Sequence, residues 1–307
     1  MRGFFGKGPV KGTEGSLFYS NTEVAEALKH LLEKSGSKTK KAYLSIPDFV
    51  TFFTSFNLPP MKKEEIDSAV EFHSRQYIPL PISEVVLDWF LSEGKEGENM
   101  RVNLIAVPKE VIAQYQEIAQ LSGIEIISLE GEMFALVRSL TRNKSGVVAV
   151  VDIGEQSTLL AIAENGVLKT THSLEIAGNM LIEQVAKTAG IEYNEAREAI
   201  MQYGVVEENV KKSIGALANS LFMEILRVVG IFEKKEGKQV NEVVIAGGFS
   251  LLPGVMGLAE EAIDKKIITR NCFEGIRAPE PLQQELMKIS ASHAIAMGAA
   301  LNGIKEE

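Results

Sequence analysis

A chain of 307 residues exceeds one small domain, and at about 150 residues per domain it divides into roughly two lobes. Hydrophobic residues make up 45% and charged residues 24%, close to the soluble average, which excludes disordered and fibrous classes. The net charge of −9 argues against a nucleic-acid partner, because neutralising phosphates needs a basic surface. Cys272 is the single cysteine, so neither an internal disulfide nor a multi-cysteine metal site can form. His30, His73, His172 and His293 are scattered, which argues against zinc. No apolar run approaches the ~18 residues of a membrane span; the best, 221–232, is interrupted by Glu224 and Arg227. The expectation is a cytosolic protein. Its basic start, eight Lys/Arg against four Asp/Glu over residues 1–41, reads as a solvated face.

In chain order, residues 1–19 show no sustained period and are expected to be loosely ordered. Ser20 and Glu23 fit a capping box before a helix whose stripe is Val24, Leu28, Leu31 and Leu32. Strands are predicted over 41–46 and 50–56, and Leu58-Pro59-Pro60 marks a boundary. Beyond it the pattern predicts a helix over 62–77, stopped by Pro79 and Pro81, and strands over 85–91 and 101–107 around a 93–99 loop. A helix from Pro108 to Gly123 and a short strand over 124–128 follow. Residues 132–140 read as helix, and Val147–Asp152 as a strand buried on both faces. Asn165-Gly166 between runs 157–164 and 167–174 predicts a hairpin. Helices are expected over 179–189 and 194–203, then a long one with Val210, Ile214, Leu217, Leu221, Ile225, Val228 and Phe232 on one stripe. A buried strand over 242–246 and a terminal helix over 290–301 complete the pattern.

Three glycine-bearing segments could carry chemistry. In the first, a strand delivers Asp152, and Gly154 allows a turn through Glu155, Gln156, Ser157 and Thr158 whose N–H groups could converge on a phosphate. Asp152 could then hold a hydrated Mg²⁺. By itself the segment is a weak signal, since Asp-x-Gly at a strand end is more often an ordinary hairpin turn. In the second, a strand ends in Gly247-Gly248-Phe249, a side-chain-poor backbone able to press against a nucleoside, with Pro253 pre-setting a helix start; a plain strand-to-helix turn is the alternative. The third is the small-residue helix carrying Gly298, suited to close helix packing.

In this order the three segments resemble the phosphate-2, adenosine and connect-2 elements of the actin-like ATPase fold. Leu44-Ser45-Ile46-Pro47, Leu58-Pro59-Pro60-Met61, Gln76-Tyr77-Ile78-Pro79-Leu80-Pro81, Glu84–Asp88 and Ala106–Val111 narrow the resemblance to the type IV pilus assembly protein PilM family, a relative of the cell-division protein FtsA. The resemblance covers about 20–303. It implies an α/β, actin-like (ribonuclease-H-like) two-lobed fold with an FtsA/PilM-type inserted small α/β subdomain. Residues 1–57 would be a remnant of the first actin-like subdomain, 58–128 the insert and 129–307 the second lobe.

The resemblance also implies a nucleotide site at Asp152, Gly154, Glu155, Gln156, Ser157, Thr158, Gly178, Gly247, Gly248 and Phe249, with ATP and Mg²⁺ as cofactors and Asp152 the metal residue. Glu132, in the connect-1 segment, could orient water as a general base, although a solvated helix-start carboxylate is the better fit. The chain departs from the family pattern. No Asp-x-Gly phosphate-1 turn is found before Ser20. Arg197 and Ile200 stand where Glu and Lys normally meet the ribose and adenine, and Ala177 precedes Gly178 where paired glycines are common. An unmade buried polar contact costs ~1–3 kcal/mol, so these losses should weaken nucleotide affinity by orders of magnitude.

The expected function is therefore a scaffold of the pilus inner-membrane platform with nucleotide binding weakened or lost. Its implied partner is the cytoplasmic tail of a PilN-like membrane protein, held as an extended peptide. A groove bounded by 49–56 and 77–81 would take it, through Phe52, Phe53, Tyr77, Pro79, Leu80 and Pro81. Membrane contact is then indirect, and self-association stays open. The alternatives are an active actin-like Mg-ATPase of the same system, or an FtsA-like division protein.

Overall fold

The computed structural model describes residues 20–93 and 99–304. Residues 1–19, and nearly all of the loop expected at 93–99, lie outside the described residues. The chain divides into two compact units, 1–129 and 130–307.

The first unit begins with α1 (Asn21–Ser35), whose start is the predicted capping box: Ser20 Oγ accepts from Glu23 N at 3.2 Å, and the Glu23 carboxylate accepts from Ser20 N at 2.9 Å. There follow β1 (Lys41–Ile46), β2 (Phe52–Leu58), α2 (Lys63–Ser74), β3 (Val85–Glu93), β4 (Met100–Pro108), α3 (Lys109–Ser122) and β5 (Glu125–Gly131). β4 is the centre of an antiparallel sheet ordered β2-β4-β3, and β1 pairs with β5 in a separate two-stranded sheet. Alternate residues on one face, among them Phe56, Leu58, Val85, Val102 and Leu104, close on Ile66 and Val70 of α2, the period-two burial that a helix-covered sheet requires.

This pairing differs from the expected partition. β2 lies before the boundary drawn at 57/58, yet it is hydrogen-bonded along its length to β4, from Phe52 opposite Ala106 to Leu58 opposite Met100. β5, expected to close the insert, pairs instead with β1. The strand expected from residue 50 starts at Phe52, because Asp48–Val50 is a 3-10 turn.

The second unit contains α4 (Glu132–Thr141), β6 (Val147–Ile153), β7 (Thr158–Glu164), β8 (Val167–Leu174), α5 (Gly178–Ala189), α6 (Tyr193–Tyr203), α7 (Glu208–Glu236), β9 (Glu242–Ala246), α8 (Val255–Ala262), β10 (Ile267–Ile268), α9 (Glu280–Ile289) and α10 (Ala294–Asn302). Its sheet runs β10-β9-β6-β7-β8. β9 joins β6 in parallel, and β6, β7 and β8 form an antiparallel meander. Asn165 and Gly166 have φ of 51° and 79°, the left-handed pair that a tight hairpin needs. Val147 to Val151 are all buried, as a strand covered on both faces must be.

α7 carries its predicted stripe into the core beside β6 and β9, through Val210, Ile214, Leu221, Ile225, Val228 and Phe232. One expectation is corrected here. α7 is long and apolar enough to cross a membrane by length and composition, because its charged residues gather at its two ends and only Glu224 and Arg227 interrupt its later half. Its buried stripe is that of a core helix. The terminal helix expected over 290–301 is broken into a 3-10 turn, Ala291–His293, and α10.

Candidate functional site

β6 ends on half-buried Asp152 and buried Ile153, and the chain turns through Gly154–Ser157 into β7. Gly154 N–H donates to Ser157 O at 3.1 Å. A β-carbon at Gly154 would come within 2.8 Å of that same oxygen, so the turn requires glycine. The Thr158 side chain is fully buried, and its hydroxyl donates to Ile176 O at 2.7 Å. Glu155 and Gln156 are exposed.

The carbonyls of this turn are engaged as well. Gly154 O accepts from Gly178 N at 2.9 Å, and Glu155 O accepts from Asn179 N at 2.7 Å. Met180 N donates to Asn179 Oδ1 at 2.7 Å. These are three of the N–H groups that a helix start leaves without an intrahelical acceptor, the groups that make such a start an anion site. At α5 they are spent inside the protein.

The second glycine turn follows β9. Gly247 has φ of 92°, and a β-carbon there would overlap the Ile153 backbone. Its N–H donates to Ala291 O at 2.9 Å, and its carbonyl accepts from Ser250 Oγ at 2.7 Å. Gly248 is exposed, and Phe249 is only 9% exposed. The Phe249 ring lies on Gly178: a β-carbon at that glycine would sit 2.6 Å from ring atom Cδ2 and 2.9 Å from Cε2. Gly154, Gly178, Gly247 and Phe249 are therefore one packed cluster.

α6 braces the cluster from outside. Arg197 Nε lies 3.8 Å from Glu155 Oε1. The Tyr193 phenol hydrogen-bonds the same carboxylate, and burial first, then the Glu155 charge, pushes its pKa up. Ala196 and Ile200 are fully buried in the core, so Ile200 contributes packing where the family pattern has a lysine. Val205 N donates to Pro253 O at 2.8 Å, and a β-carbon at Gly204 would overlap Pro253. The end of α6 is thus clasped directly to the end of the Gly-Gly turn. Sequence reasoning missed Tyr193; its i,i+4 spacing to Arg197 on a helix was the available signal.

Glu132, half-buried, opens α4. α4 crosses α10 so closely that a β-carbon at Gly298 would overlap the Ala135 backbone. Arg138 ties the crossing together: its two terminal nitrogens each donate to a Glu130 carboxylate oxygen at 2.7 Å, and Nη1 also reaches Gly298 O at 2.7 Å. Among the described residues no three His, Cys, Asp or Glu side chains gather into a metal-binding group; the carboxylates at the first turn are Asp152 and Glu155.

In the first unit, the residues expected to form a peptide groove divide between two faces. Phe52 and Leu80 pack against the α2-covered core. Tyr77, 45% exposed, stacks on Phe56 with centroids 5.2 Å apart and planes 6° from parallel. Pro79 and Pro81 are exposed beside them. Phe53 alternates with Phe52 along β2 and takes the opposite sheet face.

The parallel β6–β9 pair, the meander and the two glycine turns define an actin-like α/β chain. The chain belongs to the type IV pilus assembly protein PilM family, whose sequence profile matches residues 14–304. It is similar to a solved chain described as "PilM-PilN type IV pilus biogenesis complex", with a TM-score of 0.84 and 24% identity over 96% of this chain and 90% of that one. The cell division protein FtsA of Staphylococcus epidermidis is 23% identical over 221 residues, 62% of this chain and 46% of that protein. FtsA of Bacillus subtilis is 23% identical over 248 residues, 67% and 56% of the two chains. The chain thus spans about half the length of these curated relatives.

Proposed function

We propose that this protein is a cytoplasmic scaffold of the type IV pilus inner-membrane assembly platform, with its nucleotide-binding function weakened or lost. Its partner is the cytoplasmic tail of a PilN-like membrane protein, which holds it at the membrane periphery. Membership of the PilM family and likeness to a chain solved in a complex described as PilM–PilN support the partner. Within this reading, 130–307 serves as the second actin-like lobe, and the β2-β4-β3 sheet with α2 is the inserted subdomain.

The observation that carries the scaffold half is the consumption of Gly178, Asn179 and Met180 N–H groups by the protein itself. A phosphate seated at the start of α5 would have to break those bonds and displace Phe249. Glu155 adds a carboxylate at the same turn, the wrong charge for a phosphate neighbour. These contacts support a nucleotide site weakened at the start of α5, and no hydrolytic role is assigned to Glu132 or Asp152.

The tail docks as an extended peptide along the apolar surface formed by Phe52, Tyr77 and Leu80, with Pro79 and Pro81 holding its edge in extended backbone. Calorimetric titration of the tail peptide into the full chain tests this. Saturable binding that falls at least tenfold in Tyr77→Ala is expected, whereas an unchanged isotherm would remove the groove. Heat from Mg-ATP that disappears in Asp152→Ala would restore the ATPase reading.

A further inference from the structure

Phe249 stands where three separate parts of the second unit meet: the Gly154–Ser157 turn, the start of α5 and the Gly-Gly turn after β9. We propose that Phe249 is an internal plug, its ring occupying the space over Gly178 that a ligand would need and locking the two glycine turns together without one. The proposal rests on the reading that nucleotide binding is weakened, and it assigns one side chain as the cause.

Three observations support it independently. The ring touches Gly178 so closely that even a methyl group there would collide with it. The absence of a side chain at Gly178 is thus accounted for by the ring, with no need for an approaching phosphate. Phe249 is also 9% exposed while its neighbour Gly248 is exposed, so the chain turns this aromatic inward at the point where the backbone returns to the surface. Finally, Gly178, the residue the ring packs on, donates its N–H to Gly154 O at 2.9 Å. That bond joins the helix start to the phosphate-2 turn at the same glycine. Both the bond and the ring beside it belong to the chain itself.

Hydrogen exchange on the full chain tests the plug. In the wild type, amides at 154–158 and 178–181 should be protected, with protection unchanged by Mg-ATP. In Phe249→Ala, exchange at those amides should rise at least tenfold while the β2–β4 ladder stays as it was, and Mg-ATP should restore part of the protection. Phe249→Leu, which keeps apolar volume but not the flat ring, should give the same pattern to a smaller degree, and it serves if the alanine variant fails to fold. Unchanged exchange in both variants would overturn the proposal, and so would ATP-dependent protection already present in the wild type. Loosening that Mg-ATP does not reverse would also overturn it, reducing Phe249 to a core side chain. Tail-peptide binding by the wild type is measured separately, so failure of the plug and failure of the scaffold reading are told apart.

Discussion

The two sheets of this protein treat their surroundings in opposite ways. Around the β6–β9 pair, glycines let backbone meet backbone, N–H groups find carbonyls inside the chain, and the buried Phe249 ring packs on Gly178. Around the β2-β4-β3 sheet, aromatic surface is left over: Phe72 is 65% exposed and Tyr77 45%. A buried polar group gains little from a ligand once its partner is internal, because the exchange is bond for bond. An exposed aromatic surface beside a packed core still has apolar area to lose to a partner. The contrast teaches that polar groups satisfied inside one sheet and aromatic surface left open on the other are separate features of one chain, and the proposed function assigns them opposite roles.

The largest expected effect falls on the closed side. Gly298→Val places a branched side chain into the Ala135 backbone, and overpacking of that kind costs about 3 kcal/mol or more. Denaturant unfolding should show the loss, and a wild-type midpoint would break the view that α4 and α10 meet without slack. On the open side, Tyr77→Ala should cost about 1.4 kcal/mol or more of tail binding. Its stability loss should be smaller, since the ring is already half exposed. A variant that loses stability and keeps binding would reverse that assignment.

Glu155→Gln sharpens the comparison more gently. The ion pair with Arg197 is partly solvent-exposed, so about 0.5 kcal/mol is expected in a chemical melt. The smallest effect is a slope. Burial, with help from Arg227, holds the His172 imidazole below its usual pKa, and Glu224 opposes the shift. The unfolded chain then binds the proton more readily, so stability is full above the unfolded value near 6.5 and falls as pH drops below it toward the lowered folded value. His172→Gln should flatten that part of the stability curve, and an unaltered slope would place the proton uptake elsewhere.

Local chemistry made much of this legible from the residues alone. Ser20 with Glu23, Asn165 with Gly166, and the stripe from Val210 to Phe232 each specify an element by short-range spacing, and the structure has them where the spacing puts them. Strand partnership was not legible. β2 and β4 are joined across more than forty residues, and no local signal tells Phe52 to face Ala106 rather than a strand of its own half. α9 buries no residue, so it had no core stripe to announce it. The site was half legible. Glycine at 154, 178 and 247 marked the turns, but the reason for Gly178 is a ring 71 positions later, which only the packed chain brings to it.

The central claim is that association proceeds without a nucleotide, and it is tested most directly by titrating the PilN-like tail peptide into the full chain with and without Mg-ATP. The account predicts one dissociation constant for both titrations and no heat when Mg-ATP is added alone. A tail affinity that shifts tenfold when Mg-ATP is present would contradict it.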